Sequence, residues 1–196
     1  MKLGKLDRRV ENFFGVMANK YVVNYVDLYI YLHMEPQLTI RPLSNAWRDQ
    51  AAALILPIQQ IEFSVPITLA DQPDLMDLES AYFRSGGHFW GAFIDDELAG
   101  TIGLLVPGHI GVIRKMFVKA PFRGKQWGVA QRLLETLVDY AGKNGMEDIY
   151  LGTLSVMKAA HRFYERNGFK RIEKAEIPAA FPFMPVDDTF YHLHLL

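Results

Sequence analysis

A mixed α/β fold is what this sequence predicts, and three observations carry the reading. Ala130, Leu133, Leu134, Leu137, Val138 and Ala141 recur at the spacing of a single helix face within 127–143. Apolar, β-rich runs at 112–118 and 148–154 flank that helix, so the chain crosses over between two strands that pair in parallel. Upstream, 88–94 and 98–106 are parted only by Asp95-Asp96-Glu97, the pattern of an antiparallel hairpin.

The remaining elements follow in chain order. Residues 1–37 form an N-terminal extension: Leu6, Val10, Phe13, Phe14 and Met17 have helical spacing, and 21–32 is dense in Tyr, Val and Ile, which suits a strand or a packed helix equally. It reads as an arm packed on its own domain, as a homodimer element, or as a stretch of little role. The main domain is 38–196. Leu38 to Arg41 alternates as a strand, and Asn45 to Phe63 is a helix kinked or split at Pro57. A loop over 66–73 leads to a helix from Asp74, its N-cap, to Phe83, ended by Ser85-Gly86-Gly87. After the 148–154 strand, Ser155 caps a helix over 157–166 that Gly168 terminates. Strands at 170–177 and 189–195 close the chain around the Pro-rich loop 178–188.

Composition excludes several function classes. The 196 residues suffice for one domain with a proper core, and a net charge of −1 gives no global field for nucleic acid or an acidic membrane. With no cysteine, disulfides, thiolate metal sites and a cysteine nucleophile are ruled out, in keeping with a cytoplasmic protein. The N-terminus lacks the basic, apolar and small-residue order of a signal peptide. Asn19, Lys20, Asn24 and Asp27 interrupt the apolar stretch 13–34, which argues against a membrane span.

The chemistry concentrates at Met116 to Ala130, where a strand, a basic glycine-bearing loop and a helix N-terminus follow without spacers. First-turn N–H groups of a helix have no intrahelical partner and attract phosphate oxygens. Arg114, Lys115, Lys119, Arg123 and Lys125 cluster there, a density suited to a small polyanion rather than a duplex. A P-loop is excluded, because the Gly-Lys-Ser/Thr ending needed for Mg²⁺ is absent.

With these elements in order, the chain resembles the GNAT superfamily of N-acetyltransferases over about 38–196. Lys115-Met116-Phe117-Val118 and then Phe122-Arg123-Gly124-Lys125-Gln126-Trp127-Gly128-Val129-Ala130 look like its acetyl-CoA strand and pyrophosphate loop. Thr153 to Phe169, with Met157, Ala160, Phe163-Tyr164-Glu165-Arg166 and Gly168-Phe169, looks like its second cofactor block. In the pattern Gln/Arg-x-x-Gly-x-Gly/Ala, Arg123 and Gly128 stand first and last, but Gln126 replaces the middle glycine. Backbone N–H groups, which any residue supplies, preserve the cradle unless that position requires a positive φ.

The resemblance implies a mostly antiparallel sheet whose parallel pair is splayed around the acetyl-CoA site, with helices on both faces. It implies direct acetyl transfer from acetyl-CoA to a primary amine of a small molecule or peptide, without metal or nucleic acid. Backbone groups at Met116, Phe117 and Val118 would pair with the pantetheine arm, and Arg123, Gly124, Lys125, Gln126, Trp127, Gly128 and Val129 would cradle the pyrophosphate. Met157 belongs to the second block, and Arg166 and Lys158 would reach the ADP phosphates. Tyr164 would protonate, or hydrogen-bond, the departing sulfur. For the general base the candidates are Glu62, His109 or a water relay, since Val112 stands about where some members carry a glutamate. His161 shares a helix face with Tyr164 but has no second ligand at metal spacing. Glu62, Asp71, Asp74, Asp187 and Asp188 on the acceptor side favour a cationic amine or are equally read as solvated loop charges, with Phe181 and Phe183 as an apolar wall. The alternative is an acyl-CoA sensor or partner-binding module that has lost turnover, a reading to which Gln126 and the missing strand glutamate lend weight.

Overall fold

The computed structural model describes residues 36–195; the helix and apolar segment expected within 1–37 lie outside the described residues, Pro36 and Gln37 aside. The described chain builds one seven-stranded sheet: β1 (Leu38–Pro42), β2 (His88–Ile94), β3 (Glu97–Leu105), β4 (Gly111–Val118), β5 (Asp148–Thr153), β6 (Lys170–Ile172) and β7 (Thr189–His194). Their spatial order is β1-β2-β3-β4-β5-β7-β6. β4 and β5 are parallel, with Gly111 opposite Ile149, and the other neighbours are antiparallel. The mixed sheet with one parallel pair is therefore as expected. Between β2 and β3, Asp95 and Asp96 both take positive φ (46° and 66°), the backbone a tight hairpin turn demands.

Helices α1 (Arg48–Pro57), α2 (Val129–Lys143) and α3 (Lys158–Arg166) cover the sheet. The apolar face of α2 buries Val129, Leu133, Leu134, Leu137 and Ala141 against Ile102, Leu104, Ile113, Ile149 and Leu151. A second core joins Leu54 and Ile55 of α1 to Leu75, Leu78, Tyr82, Phe89, Phe93 and Leu98. Residues of β2 and β3 enter both clusters, so the two faces of the sheet are each covered. No helix among the described residues is long and apolar enough to cross a membrane.

Four local expectations are corrected. The 45–63 segment does not kink or split into two helices at Pro57; α1 ends there and the chain winds on without interruption into a π turn over Ile58–Glu62, where Phe63 N–H donates to the Ile58 carbonyl at 3.1 Å. The expected 74–83 helix is instead a 3₁₀ turn (Pro73–Leu75) and a π turn (Glu79–Phe83). Asp77 restarts the chain between them, accepting from Ser80 N–H at 2.9 Å and from Asn45 Nδ2 at 3.0 Å. Ser155 does not cap α3, whose N-cap is Met157; its N–H and Oγ donate to Asp188 at 2.6 and 2.8 Å. Strand β6 stops at Ile172, because Glu173 and Glu176 form a reciprocal capping box around a 3₁₀ turn.

Candidate active site

A bulge in β4 creates the site. Gly103 pairs with Arg114 and Thr101 with Phe117, so Ile102 alone opposes both Lys115 and Met116. Lys115 takes φ 51°, a left-handed value uncommon outside glycine, and Thr101 Oγ1 holds its carbonyl at 2.7 Å. Pairing of β4 with β5 ends at Ile113 and Leu151. Beyond that point the strands splay, and a groove of about 550 Å³ lies between Met116–Val118 of β4 and Met157–Arg166 around α3, with Ile58, Glu62 and Phe63 along its rim.

One end of the groove adjoins the basic loop. A cavity of about 430 Å³ there is lined by Gly124, Lys125, Gly128, Ala130, Gln131 and Arg166. Gly124 (φ 103°) and Gly128 (φ 64°) supply the left-handed turns that bring the backbone round. Gly128 is the N-cap of α2 and has no side chain to cap it, so the first-turn N–H groups of α2 stay available to an anion. Gln126 is not at positive φ; its side chain folds over Gly124 and Nε2 donates to the Arg123 carbonyl at 3.2 Å. The loop thus tolerates a side chain where the motif expects glycine. Donor-rich and cationic, this cavity suits a pyrophosphate. Trp127 is half-buried and packs edge-on against Phe122 at 5.5 Å, and the Val129 side chain is buried, so Val129 can serve a ligand only through its backbone.

The other end opens into a small chamber of about 110 Å³, which shares Met116, Phe117, Met157, Ala160 and Tyr164 with the groove. Buried Tyr164 donates its hydroxyl to the Met116 sulfur at 3.3 Å. Desolvation, with help from the Asp187 charge, pushes its pKa far above the ordinary tyrosine value, so it stays a donor at neutral pH. Past Tyr164 the chamber is walled by Arg114, Lys115, Gln59, Met184, Val186 and Asp187.

The structure gathers Met116, Phe117, Val118, Arg123, Gly124, Lys125, Gly128, Met157, Lys158, Tyr164, Arg166 and Glu62 around one continuous cleft. His109 is left out: it is exposed in the β3–β4 turn, at the opposite end of β4. Glu62 is held by Arg123, whose Nη1 and Nη2 donate at 2.6 and 2.8 Å, and this lowers the Glu62 pKa and makes it a weaker base. The basic cluster of the sequence is not one patch. Arg123 and Lys125 reach the loop cavity, Lys119 pairs with Glu97 at 3.1 Å, and Arg114 and Lys115 turn into the chamber.

The acceptor-side carboxylates are also mostly committed. Asp71 accepts from Thr68 N–H and Oγ1, Asp188 from Ser155 and Thr189, and Asp74 from Tyr82 Oη at 2.6 Å and Lys115 at 3.3 Å. Phe181 packs in a separate cluster with Val112 and Phe190, and Phe183 meets it edge-on and half-exposed, so the apolar wall is Met184 and Val186 instead. His161 Nε2 lies 2.9 Å from the Leu154 carbonyl; among the described residues no cluster of His, Asp or Glu is arranged to hold a metal. Sequence reasoning missed Gln59 and Lys115 as chamber residues and the buried Gln72 that holds them. The two amides bond to each other and Lys115 Nζ donates to Gln72, a network that no local pattern announces.

Comparison with known proteins agrees with this fold. The family model of the acetyltransferase (GNAT) family matches residues 54–169. An acetyltransferase of the GNAT family from Staphylococcus aureus Mu50 superposes with a TM-score of 0.78 at 33% identity, covering 82% of this chain and 100% of that one. The PaiA N-acetyltransferase of Thermoplasma acidophilum, solved in complex with coenzyme A, shares the fold at 18% identity and a TM-score of 0.62, covering 81% of this chain and 99% of that one. N-acetylaspartate synthetase of Danio rerio is 32% identical over 106 residues, 53% of this chain and 37% of that protein. The match therefore spans well under half of that curated relative.

Proposed function

The chain belongs to the acetyltransferase (GNAT) family, and on that footing we propose that it moves an acetyl group from acetyl-CoA directly to a primary amine of a small molecule or peptide. The observation that carries this reading is the Tyr164 hydroxyl, buried 3.3 Å from the Met116 sulfur where groove and chamber meet.

Acetyl-CoA supplies the activated thioester, and the chain's residues do the rest. The α2 N-terminus, Gly124–Gly128 backbone, Lys125 and Arg166 bind the pyrophosphate. The β4 backbone at Met116–Val118, left open by the splay, takes the pantetheine arm as an added strand, and an N–H there polarises the thioester carbonyl. Tyr164 gives its proton, or a hydrogen bond, to the sulfur as the C–S bond breaks. The chamber beyond admits the amine and keeps bulk water from the thioester. With no cysteine in the chain, a ternary complex is the simplest route.

Release of free thiol from acetyl-CoA, followed with a panel of primary amines, tests the proposal. Amine-dependent release is expected. Tight acetyl-CoA binding with no release for any amine would favour a sensor instead.

A further inference from the structure

We propose that Asp187 is the general base of the reaction, taking the proton of the acceptor amine on its Oδ2. This rests on the acetyl-transfer reading above. Asp187 lies in the loop before β7, where its N–H donates to the Met184 carbonyl at 3.1 Å and the next N–H, of Asp188, donates to the Thr153 carbonyl at 3.1 Å. Those bonds strap the loop across the end of β5. There the carboxylate sits directly over Gly152, so closely that a Cβ built on Gly152 would collide with it.

The side chain is nine-tenths buried, and Oδ2 has no hydrogen-bond partner among the described residues. Its neighbour Arg114 Nη1 is 3.6 Å away, an ion pair too long to be a hydrogen bond. A buried carboxylate oxygen left without a donor is costly unless something arrives to satisfy it. Every other acidic side chain of the acceptor side is engaged, whereas this oxygen lines the chamber that Tyr164 also lines. An amine entering the chamber would meet Oδ2 on one side and the acetyl carbon on the other.

The charged and titratable groups facing Asp187 are Arg114 and Lys115 of β4, Tyr164 of α3 and the adjoining Asp188. Burial raises the Asp187 pKa and Arg114 partly offsets it, which moves the carboxylate toward the range useful for a base. In the step itself the nitrogen lone pair attacks the acetyl carbon, the C–N bond forms and the C–S bond breaks. The sulfur leaves with the bonding pair and takes a proton from Tyr164, and the nitrogen's proton passes to Asp187 Oδ2.

The test uses the full chain, acetyl-CoA and primary amines including n-butylamine and cadaverine, in thiol-release assays across a pH series. Asp187→Asn is expected to lower kcat by about 10² to 10³-fold, keep acetyl-CoA affinity, and recover partly at high pH where the amine is already free. Arg114→Met should move the acid limb of kcat/KM upward by about one pH unit, since the cation favouring the carboxylate is gone. Wild-type turnover with D187N equal to it, or an acid limb that R114M leaves in place, overturns the assignment of Asp187 alone. A wild-type chain that releases no thiol with any amine overturns the acetyl-transfer reading and this assignment together.

Discussion

Arg123 and Glu62 clasp each other across the rim of the groove, Nη1 to Oε1 at 2.6 Å and Nη2 to Oε2 at 2.8 Å, while Arg123 Nε donates to the Val118 carbonyl at 2.8 Å. The clasp ties the π turn after α1 to the end of β4, so the arginine acts here as a strut more than as a free phosphate ligand. Glu62→Gln is expected to leave the acid limb of kcat/KM unchanged and alter the acetyl-CoA KM several-fold. Both partners are over a third exposed, so screening limits the stability loss to about 1 kcal/mol or less at neutral pH. Because Arg123 depresses the Glu62 pKa, that contribution is present above the unfolded-state value and fades as pH falls. Urea melts at two pH values, with the kinetic profile, check both points.

Tyr164→Phe removes the hydroxyl and little else, because the ring stays packed against Phe163 and Phe169. A fall in kcat of about 100-fold with an acetyl-CoA Kd within a few-fold of wild type is the expected outcome. Single-turnover kinetics beside equilibrium binding measure the split; equal losses in both would make Tyr164 a packing residue.

How much of this was legible in the sequence depends on how local each cause is. The α2 stripe is written in residues a turn apart, and the parallel pairing of β4 and β5 follows from the helix between them. The Tyr164 position came from its surrounding motif. By contrast, the restart at Asp77 needs Asn45, 32 residues upstream, and the diversion of Ser155 needs Asp188, 33 residues downstream. The bulge at Lys115 leaves no mark on an apolar run, yet it turns two neighbouring cations into the chamber. For the same reason the acidic loops read as favouring a cationic amine, when most of those carboxylates are tied to partners distant in sequence.

The glycines of the loop separate from Gln126 in their consequences. Gly124→Ala forces a side chain onto φ 103° and into Gln126, and should weaken acetyl-CoA binding about 10-fold. Gln126→Gly meets no such strain and should change the Kd less than about three-fold. Isothermal titration of acetyl-CoA into each variant distinguishes the two.

The core under the loop sets the stability of the whole site. Leu133 of α2 is fully buried against the sheet, and Leu133→Ala should cost about 2 to 5 kcal/mol by urea denaturation. A loss below about 1 kcal/mol would mean that α2 packs more loosely than described.

Direct transfer between two bound substrates is the claim on which the rest depends. Intact-protein mass spectrometry during rapid-quench turnover tests it: acetyl-CoA alone should leave the protein mass unchanged, and adding the amine should give acetylated amine and CoA in equal amounts. An acetylated protein that forms without the amine, and then passes its acetyl group on, would contradict it.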